Sequence, residues 1–114
     1  ITWLSKRLNE YGLAYLHLMR GDFFGEQQAD VITPVREHFN GSLILNMGYS
    51  GEEANAAIEA GQADAVAFGV PFLANPDLPE RLRQDAPLNE PDPASFYGGD
   101  ARGYTDYPFL GASA

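Results

Sequence analysis

Blocks of apolar and polar residues alternate along the chain in an order that predicts three helix–strand units. In each unit, a segment with apolar residues at helical spacing is followed by a continuous apolar run of the kind found in buried strands. The helix segments are TWLSKRLNEYG, TPVREHF and SGEEANAAIEAG, and the strand segments that follow them are LAYLHL, SLILNMG and ADAVAFG. A short helix is predicted for LPERLRQ. The tail after it shows neither the periodicity of a helix nor that of a strand.

The residues at the predicted helix ends agree with these assignments. Thr33 is suited to cap the second helix, with Pro34 at its first position. Ser50 and Glu53 have the spacing of a capping box at the start of the third helix, which Gly61 ends. The helices are therefore expected to begin soon after the preceding strands end.

The alternation of helices and strands indicates parallel strands that are covered by helices. A doubly wound sheet and part of a (β/α)8 barrel both agree with it. Three strands are too few to close a barrel of about 250 residues, and a three-stranded sheet leaves two open edges. The chain is therefore expected to be a piece of a larger protein, with a small independent α/β domain as the alternative. We expect one partial domain, with the helix–strand units in residues 1–85 and an irregular tail in residues 86–114 that packs on them.

The composition excludes several classes of partner and site. A net charge of −9 over 114 residues argues against nucleic acid and membrane partners, because anionic surfaces require clustered Lys and Arg. The absence of cysteine excludes a thiolate metal site and a cysteine nucleophile, and it agrees with a cytoplasmic location. His17 in the first strand is expected to be a hydrogen-bonded core residue and His38 a surface residue, so no metal site is predicted.

Two glycines close successive predicted strands at their carboxyl ends, Gly48 in NMGYS and Gly69 in AFGVP. Ligands bind at this end of the strands in parallel α/β folds, and a glycine lets the backbone approach them closely. Pro71 is placed to start a helical turn whose free N–H groups favour an anion. The pattern predicts a phosphate site, with ordinary strand-to-helix turns as the alternative.

Aromatic residues outside the predicted elements are the remaining candidates for a site. Phe23 and Phe24 lie in the loop MRGDFFGEQQ, where they would form a lid or pocket wall or simply cover the core. The tail carries a further group of aromatics that is expected to pack on the body of the protein and pin the tail there. This group consists of Phe96, Tyr97, Tyr104, Tyr107 and Phe109.

Seven short motifs together resemble the C-terminal part of the Old Yellow Enzyme family, the FMN-dependent ene-reductases. They are AYLHL, NMGYS, ADAVAFG, FLANPDLPERL, APLN, FYGG and GYTDYPFL. The resemblance implies a (β/α)8 barrel to which this chain supplies about strands six to eight and the tail. It also implies bound FMN, reduction of the flavin by NADH or NADPH, and hydride transfer to activated alkenes such as unsaturated carbonyls, nitroalkenes and maleimides.

The same resemblance assigns candidate site residues. Met47 and Gly48 match the position after strand seven whose backbone meets the FMN phosphate, and Gly69 and Val70 match the pair after strand eight. Tyr97 and one of Phe23 and Phe24 match the substrate pocket.

Many family members have an arginine at the position of Val70 that binds the phosphate. Losing a charge-assisted contact of about 1.5–3 kcal/mol corresponds to a roughly ten- to hundredfold loss of affinity.

The family's catalytic residues match no position in this segment, so the chain alone is expected to be inactive and to carry no flavin. Its expected partners are the remainder of the barrel and a small activated alkene. Two alternatives stay open. One is a non-catalytic partial barrel that oligomerises to complete its sheet. The other is a phosphate-binding fragment of a different barrel, which would lack the FYGG and GYTDYP motifs.

Overall fold

A computed structural model of the chain describes residues 1–22, 24–26 and 29–112. The chain divides into two compact units, Ile1–Ala67 and Phe68–Ala114, and each is described by itself. No helix of the described residues is long and apolar enough to cross a membrane. Those same residues contain no cluster of His, Asp and Glu suited to a metal ion.

The first unit is a three-stranded parallel sheet with helices between its strands. The strand order is β1-β2-β3, and Leu16 pairs with Leu43 and Ile44 with Ala65. The elements are α1 (Thr2–Leu8), β1 (Leu16–Met19), α2 (Ile32–His38), β2 (Leu43–Asn46), α3 (Gly51–Glu59) and β3 (Ala65–Val66). The three predicted helix–strand units are thus confirmed in order and type, with strands shorter than the apolar runs.

The core of this unit lies on one face of the sheet. Leu43 and Leu45 are fully buried, and because side chains alternate along a strand they share one face. Ile44 and Asn46 lie on the opposite face and are half-buried, and His17, which pairs with Ile44, is exposed. The expectations of strands buried on both faces and of a core histidine at position 17 are therefore wrong. A continuous apolar run shows that a strand is hydrophobic but not how much of it this chain covers.

The start of α2 differs from the prediction. α2 begins at Ile32 with Val31 at the N-cap, so Thr33 is not the cap and Pro34 is not the first helical residue. Asp30 supplies the capping oxygen instead, because its Oδ1 accepts from the N–H groups of Ile32 and Thr33 at 2.9 and 3.1 Å. A carboxylate one residue before the N-cap thus satisfies two of the orphan amides at the start of the helix.

The start of α3 follows the prediction. Ser50 is its N-cap, and its Oγ accepts from the Glu53 N–H at 3.0 Å. The Glu53 carboxylate binds Arg20 most strongly, and a weaker hydrogen bond from the Ser50 backbone also lowers the pKa of its carboxyl, as in a capping box.

Two short helices and an irregular tail make up the second unit. The helices are α4 (Val70–Ala74) and α5 (Leu78–Arg83), and a single 3-10 turn follows at Pro93–Ser95. Pro71 lies in the first turn of α4, as predicted. The tail is otherwise without regular structure over the described residues, so hydrogen bonds from side chains must satisfy much of its backbone.

Arg81 organises the second unit although it is a charged residue with only 3% of its surface exposed. Its Nε donates to Asp77 Oδ1 at 2.7 Å, and its two Nη atoms donate to the carbonyl oxygens of Pro87 and Pro108 at 2.9 and 2.8 Å. The other oxygen of Asp77 accepts from the Leu110 N–H at 2.8 Å. A buried charge is tolerated here because it is paired and fully hydrogen-bonded.

Two asparagines extend this network towards α4. Asn89 donates from Nδ2 to the carbonyl oxygens of Ala74 and Pro108, at 2.8 and 2.9 Å. Asn75, which is fully buried, accepts from the Asn89 N–H at 2.7 Å and donates to the Pro71 carbonyl at 2.8 Å. The motifs ANPDL, APLN and YPFL therefore meet in one hydrogen-bonded cluster.

The aromatic residues of the tail contribute less than predicted. Tyr97, Tyr104 and Phe109 are exposed, so they do not pin the tail by burial. Tyr107 is half-buried, and its hydroxyl accepts from the Asp92 N–H at 2.9 Å. The tail is held by hydrogen bonds to Arg81 and Asn89, which do not require buried rings.

Candidate functional site

The turn that follows β2 has an unusual backbone. Met47 and Gly48 both have positive φ angles, 98° and 68°. Glycine adopts such angles freely, whereas a residue with a Cβ pays a strain of about 1–3 kcal/mol that the surroundings must offset. Strain of this kind is concentrated at functional sites, which agrees with the prediction that this pair binds a ligand.

Arg20 holds the turn from the end of β1. Its Nε donates to the Met47 carbonyl oxygen at 2.7 Å, and its Nη2 donates to the Gly48 carbonyl oxygen at 2.8 Å. The guanidinium carbon lies 3.9 Å from the centre of the Tyr49 ring, a cation–π contact. Three consecutive residues of the turn are thus bound by one side chain.

Glu53 completes this cluster. It accepts from Arg20 Nη1 at 2.6 Å, and the hydrogen bond and charge of Arg20 lower the pKa of its carboxyl. Burial raises the pKa of the Tyr49 hydroxyl above its usual value. Arg20 therefore remains paired with a carboxylate at neutral pH while it binds the turn.

Asn46 stands directly before the turn, on the sheet face opposite the core. Its Oδ1 is buried and has no hydrogen-bond partner among the described residues. Buried side-chain oxygens are usually satisfied, so an orphaned one at the carboxyl end of a strand indicates a polar partner from outside these residues.

The second predicted pair, Gly69 and Val70, lies in the other unit at the start of α4. The Gly69 carbonyl accepts from the N–H groups of Phe72 and Leu73, both at 3.0 Å. The Val70 N–H belongs to the first turn of a helix, where no intrahelical acceptor exists. A Cβ added to Gly69 would meet no atom within 4 Å, and 43% of Val70 is exposed. The pair has open space and a free amide, but no charged side chain.

The predicted substrate-pocket residues are placed only in part. Phe24 and Tyr97 are 89% and 94% exposed, so neither lines an enclosed pocket within its own unit. Phe23 lies outside the described residues. The Tyr97 ring makes an edge-to-face contact with Phe96, with centroids 6.4 Å apart.

Sequence reasoning missed Arg20 and Asn46. Arg20 directly follows β1 and Asn46 ends β2, so a polar residue near the carboxyl end of an apolar run was the signal available. Their partners, however, come from tertiary contacts that no local pattern encodes. Arg20 bonds to a carbonyl 27 residues away.

The chain matches known proteins in sequence and in structure, whereas no protein-family model matches it. The chain is 48% identical over 109 residues to a probable flavin mononucleotide-dependent alkene reductase of Leishmania infantum, covering 95% of this chain and 29% of that protein. It is similar to the old yellow enzyme structure from Trypanosoma cruzi, with a TM-score of 0.90 and 48% identity over 96% of this chain and 29% of that one. It is also similar to morphinone reductase in complex with tetrahydroNAD, with a TM-score of 0.83 and 50% identity over 96% of this chain and 29% of that one. The chain thus spans 29% of the length of each of these relatives.

Proposed function

This chain belongs to the Old Yellow Enzyme family, and we propose that it is one segment of an FMN-dependent ene-reductase. In this proposal it supplies about strands six to eight and the tail of a (β/α)8 barrel. The observation that carries the proposal is the match in both sequence and fold, 48% identity with a TM-score of 0.90 over 96% of the chain.

The form of the sheet supports a place within a larger barrel. On one face Leu43 and Leu45 are fully buried, whereas on the other face Ile44 and Asn46 are half-buried and His17 is exposed. β1 and β3 are both edge strands of the three-stranded sheet. Closure into a barrel would pair both edges and cover the open face.

The residues of the chain fit the phosphate end of FMN. Gly48 has a backbone that glycine favours, and Gly69 has open space beside it. We propose that the turn of Met47 and Gly48 binds the FMN phosphate through backbone N–H groups, and that Gly69 and Val70 are cofactor-binding residues in their own unit. Backbone N–H groups suit an anion even where no cationic side chain is present.

FMN, when bound, supplies hydride chemistry, taking a hydride from NADH or NADPH and passing it to an activated alkene. The part of this chain is to bind and orient the cofactor and to shape the substrate side with Tyr97 and Phe23 or Phe24. Polarisation of the alkene and the proton transfer are assigned to the remainder of the barrel, since this segment has no matching catalytic residue.

A chimera tests the proposal. These 114 residues replace the matched segment of the Trypanosoma cruzi enzyme, and the product is purified and saturated with FMN. We expect stoichiometric flavin in the visible spectrum and NADPH oxidation that depends on an alkene such as N-ethylmaleimide. The parent enzyme is the positive control, and the isolated 114-residue chain is expected to stay colourless. A folded chimera that binds no FMN would overturn the proposal.

A partial barrel that assembles with copies of itself is the second candidate, and the open edges of β1 and β3 favour it. Sedimentation of the isolated chain separates the two functions. Discrete oligomers without flavin would support the assembly module, whereas a monomeric, well-folded chain would count against it.

A further inference from the structure

We infer that Arg20 is a positioning residue of the phosphate site: it binds two carbonyl oxygens and thereby turns two backbone N–H groups towards the anion. The inference rests on the proposed function and deepens it, because it names the residue that keeps the Met47–Gly48 turn in its binding conformation.

The first step is the number of contacts that Arg20 makes with one turn. Its guanidinium donates to the carbonyls of Met47 and Gly48 and to the Glu53 carboxylate, and it stacks on Tyr49. The planar fork of arginine can bind two neighbouring acceptors at once, which the compact ammonium of lysine cannot do in the same geometry. Arg20 therefore fixes both peptide planes of the turn.

The second step follows from the geometry of the trans peptide. The C=O and N–H of one peptide unit point in opposite directions. The Met47 carbonyl shares a peptide unit with the Gly48 N–H, and the Gly48 carbonyl shares one with the Tyr49 N–H. Since Arg20 holds both carbonyls, both N–H groups point away from the guanidinium.

The third step concerns what these two N–H groups bind. Over the described ranges, neither the Gly48 nor the Tyr49 N–H donates a hydrogen bond to a backbone or side-chain acceptor. Tyr49 is nevertheless a buried residue. Successive unpaired amides in a positive-φ turn form a concave anion site. The same turn contains the strained Met47, so its conformation needs support, which Arg20 gives.

The fourth step separates positioning from direct charge. The positive charge of Arg20 is already paired with Glu53, and three of its N–H groups are in use. Arg20 therefore acts through the turn, by holding its backbone in one conformation. Val70, at the other predicted cofactor-binding pair, offers no charged side chain.

The test compares FMN with riboflavin, which lacks the phosphate, in the chimera. We expect Arg20→Met to weaken FMN binding roughly ten- to hundredfold and to leave riboflavin binding unchanged. Arg20→Lys keeps the charge but loses the fork, so it should weaken FMN binding as much as Arg20→Met. If Arg20→Lys binds FMN as tightly as the parent chimera, the role is direct charge and the inference is wrong.

Arg36→Met is the matched control. Arg36 also binds two carbonyls and a carboxylate, those of Phe39, Gly41 and Asp64, but it lies before β2, away from the turn. Its loss should leave the ratio of FMN to riboflavin affinity unchanged. Equal changes of that ratio in Arg20→Met and Arg36→Met would show a general loss of structure and overturn the inference.

Hydrogen exchange at single-residue resolution tests the inference without a variant that must fold. FMN should slow exchange of the Gly48 and Tyr49 amides in the parent chimera, and riboflavin should not. Unchanged exchange with bound FMN overturns the positioning role alone, because the cofactor is then bound by other groups. A chimera without FMN overturns the proposed function as well.

Discussion

The two units of this chain are stabilised by different means. Residues 1–67 bury Leu43, Leu45 and Val35 in an apolar core between a sheet face and helices. Residues 68–112 bury Arg81 and Asn75 and satisfy them with carbonyl and carboxylate oxygens. An apolar core tolerates many exchanges of similar volume, whereas a polar cluster requires particular residues. Two of the motifs that carry the family resemblance, ANPDL and GYTDYPFL, lie in the second unit and supply residues to this polar cluster.

The largest effect is expected from Arg81→Leu, which removes the centre of the polar cluster. The substitution leaves Asp77 Oδ1 and the Pro108 carbonyl, both in half-buried residues, without the Arg81 donor, so the free energy of unfolding should fall by about 3–5 kcal/mol. Urea denaturation measures the loss, and hydrogen exchange should locate it in residues 68–112. Arg83→Leu, on the same helix with 74% of its side chain exposed, should change stability by less than about 0.5 kcal/mol. Equal losses of stability in Arg81→Leu and Arg83→Leu would contradict the conclusion that the polar cluster stabilises the second unit.

Leu45→Ala tests the apolar unit in the same way. Truncating this fully buried side chain should lower the free energy of unfolding by about 3 kcal/mol, because it removes buried apolar surface and leaves a cavity. The faster hydrogen exchange should be confined to residues 1–67. Leu4→Ala is the control, because Leu4 is an exposed leucine of the same unit. If hydrogen exchange became faster to the same extent in both units, the conclusion that they are stabilised by different means would be wrong.

Met47→Gly is expected to stabilise the first unit. Glycine relieves the positive φ of 98°, a gain of about 1–3 kcal/mol that is reduced by about 0.5–1 kcal/mol through the entropy of the unfolded chain. The net gain should be about 1 kcal/mol in urea denaturation. Met19→Gly, at the last pair of the β1–β2 register, should destabilise instead. A loss of stability in Met47→Gly would mean that the methionine side chain contributes packing greater than the strain.

The smallest expected effect is a loss of folding stability at acidic pH. Each unit contributes to it through a carboxylate of its own. The N–H of Leu110 lowers the pKa of Asp77 in the second unit, and the N–H of Leu43 lowers the pKa of Asp64 in the first. A lowered pKa stabilises the fold above the unfolded value of about 3.9, and this stabilisation is lost as pH falls through the folded pKa. Urea denaturation from about pH 6 to pH 3 should show it. Asp77→Asn should flatten the loss, and an unchanged slope would exclude Asp77 as its source.

Local sequence patterns predicted the helices and strands better than they predicted which side chains of those elements are buried. The helices and strands follow from periodicity, and the glycine at position 48 marked the unusual turn correctly. Periodicity could not show which faces are covered, so Trp3 and Leu4 are exposed on α1 although their spacing predicts a buried stripe. Spacing gives a helix an apolar face, but the surface that covers the face is a property of the tertiary fold.

The sequence analysis identified the glycines of the candidate site but not the side chains that support it. Gly48 and Gly69 could be found because a glycine at a strand end has a local backbone reason. Arg20 had no such signal, since its partners lie more than twenty residues further along the chain. The polar cluster of the tail was missed for the same reason, and aromatic residues were credited with anchoring that Arg81 and Asn89 provide.

The long sequence separation within the polar cluster has a consequence for synthesis on the ribosome. Arg81 bonds to Pro108, 27 residues later, and Asp77 bonds to Leu110, 33 residues later. Translation therefore produces α5 well before two of the groups that bind Arg81 and Asp77. Until residues 108–110 have left the ribosome, Arg81 Nη2 and Asp77 Oδ2 lack these partners, so the second unit completes its structure late during translation, after the first unit has its whole sheet available.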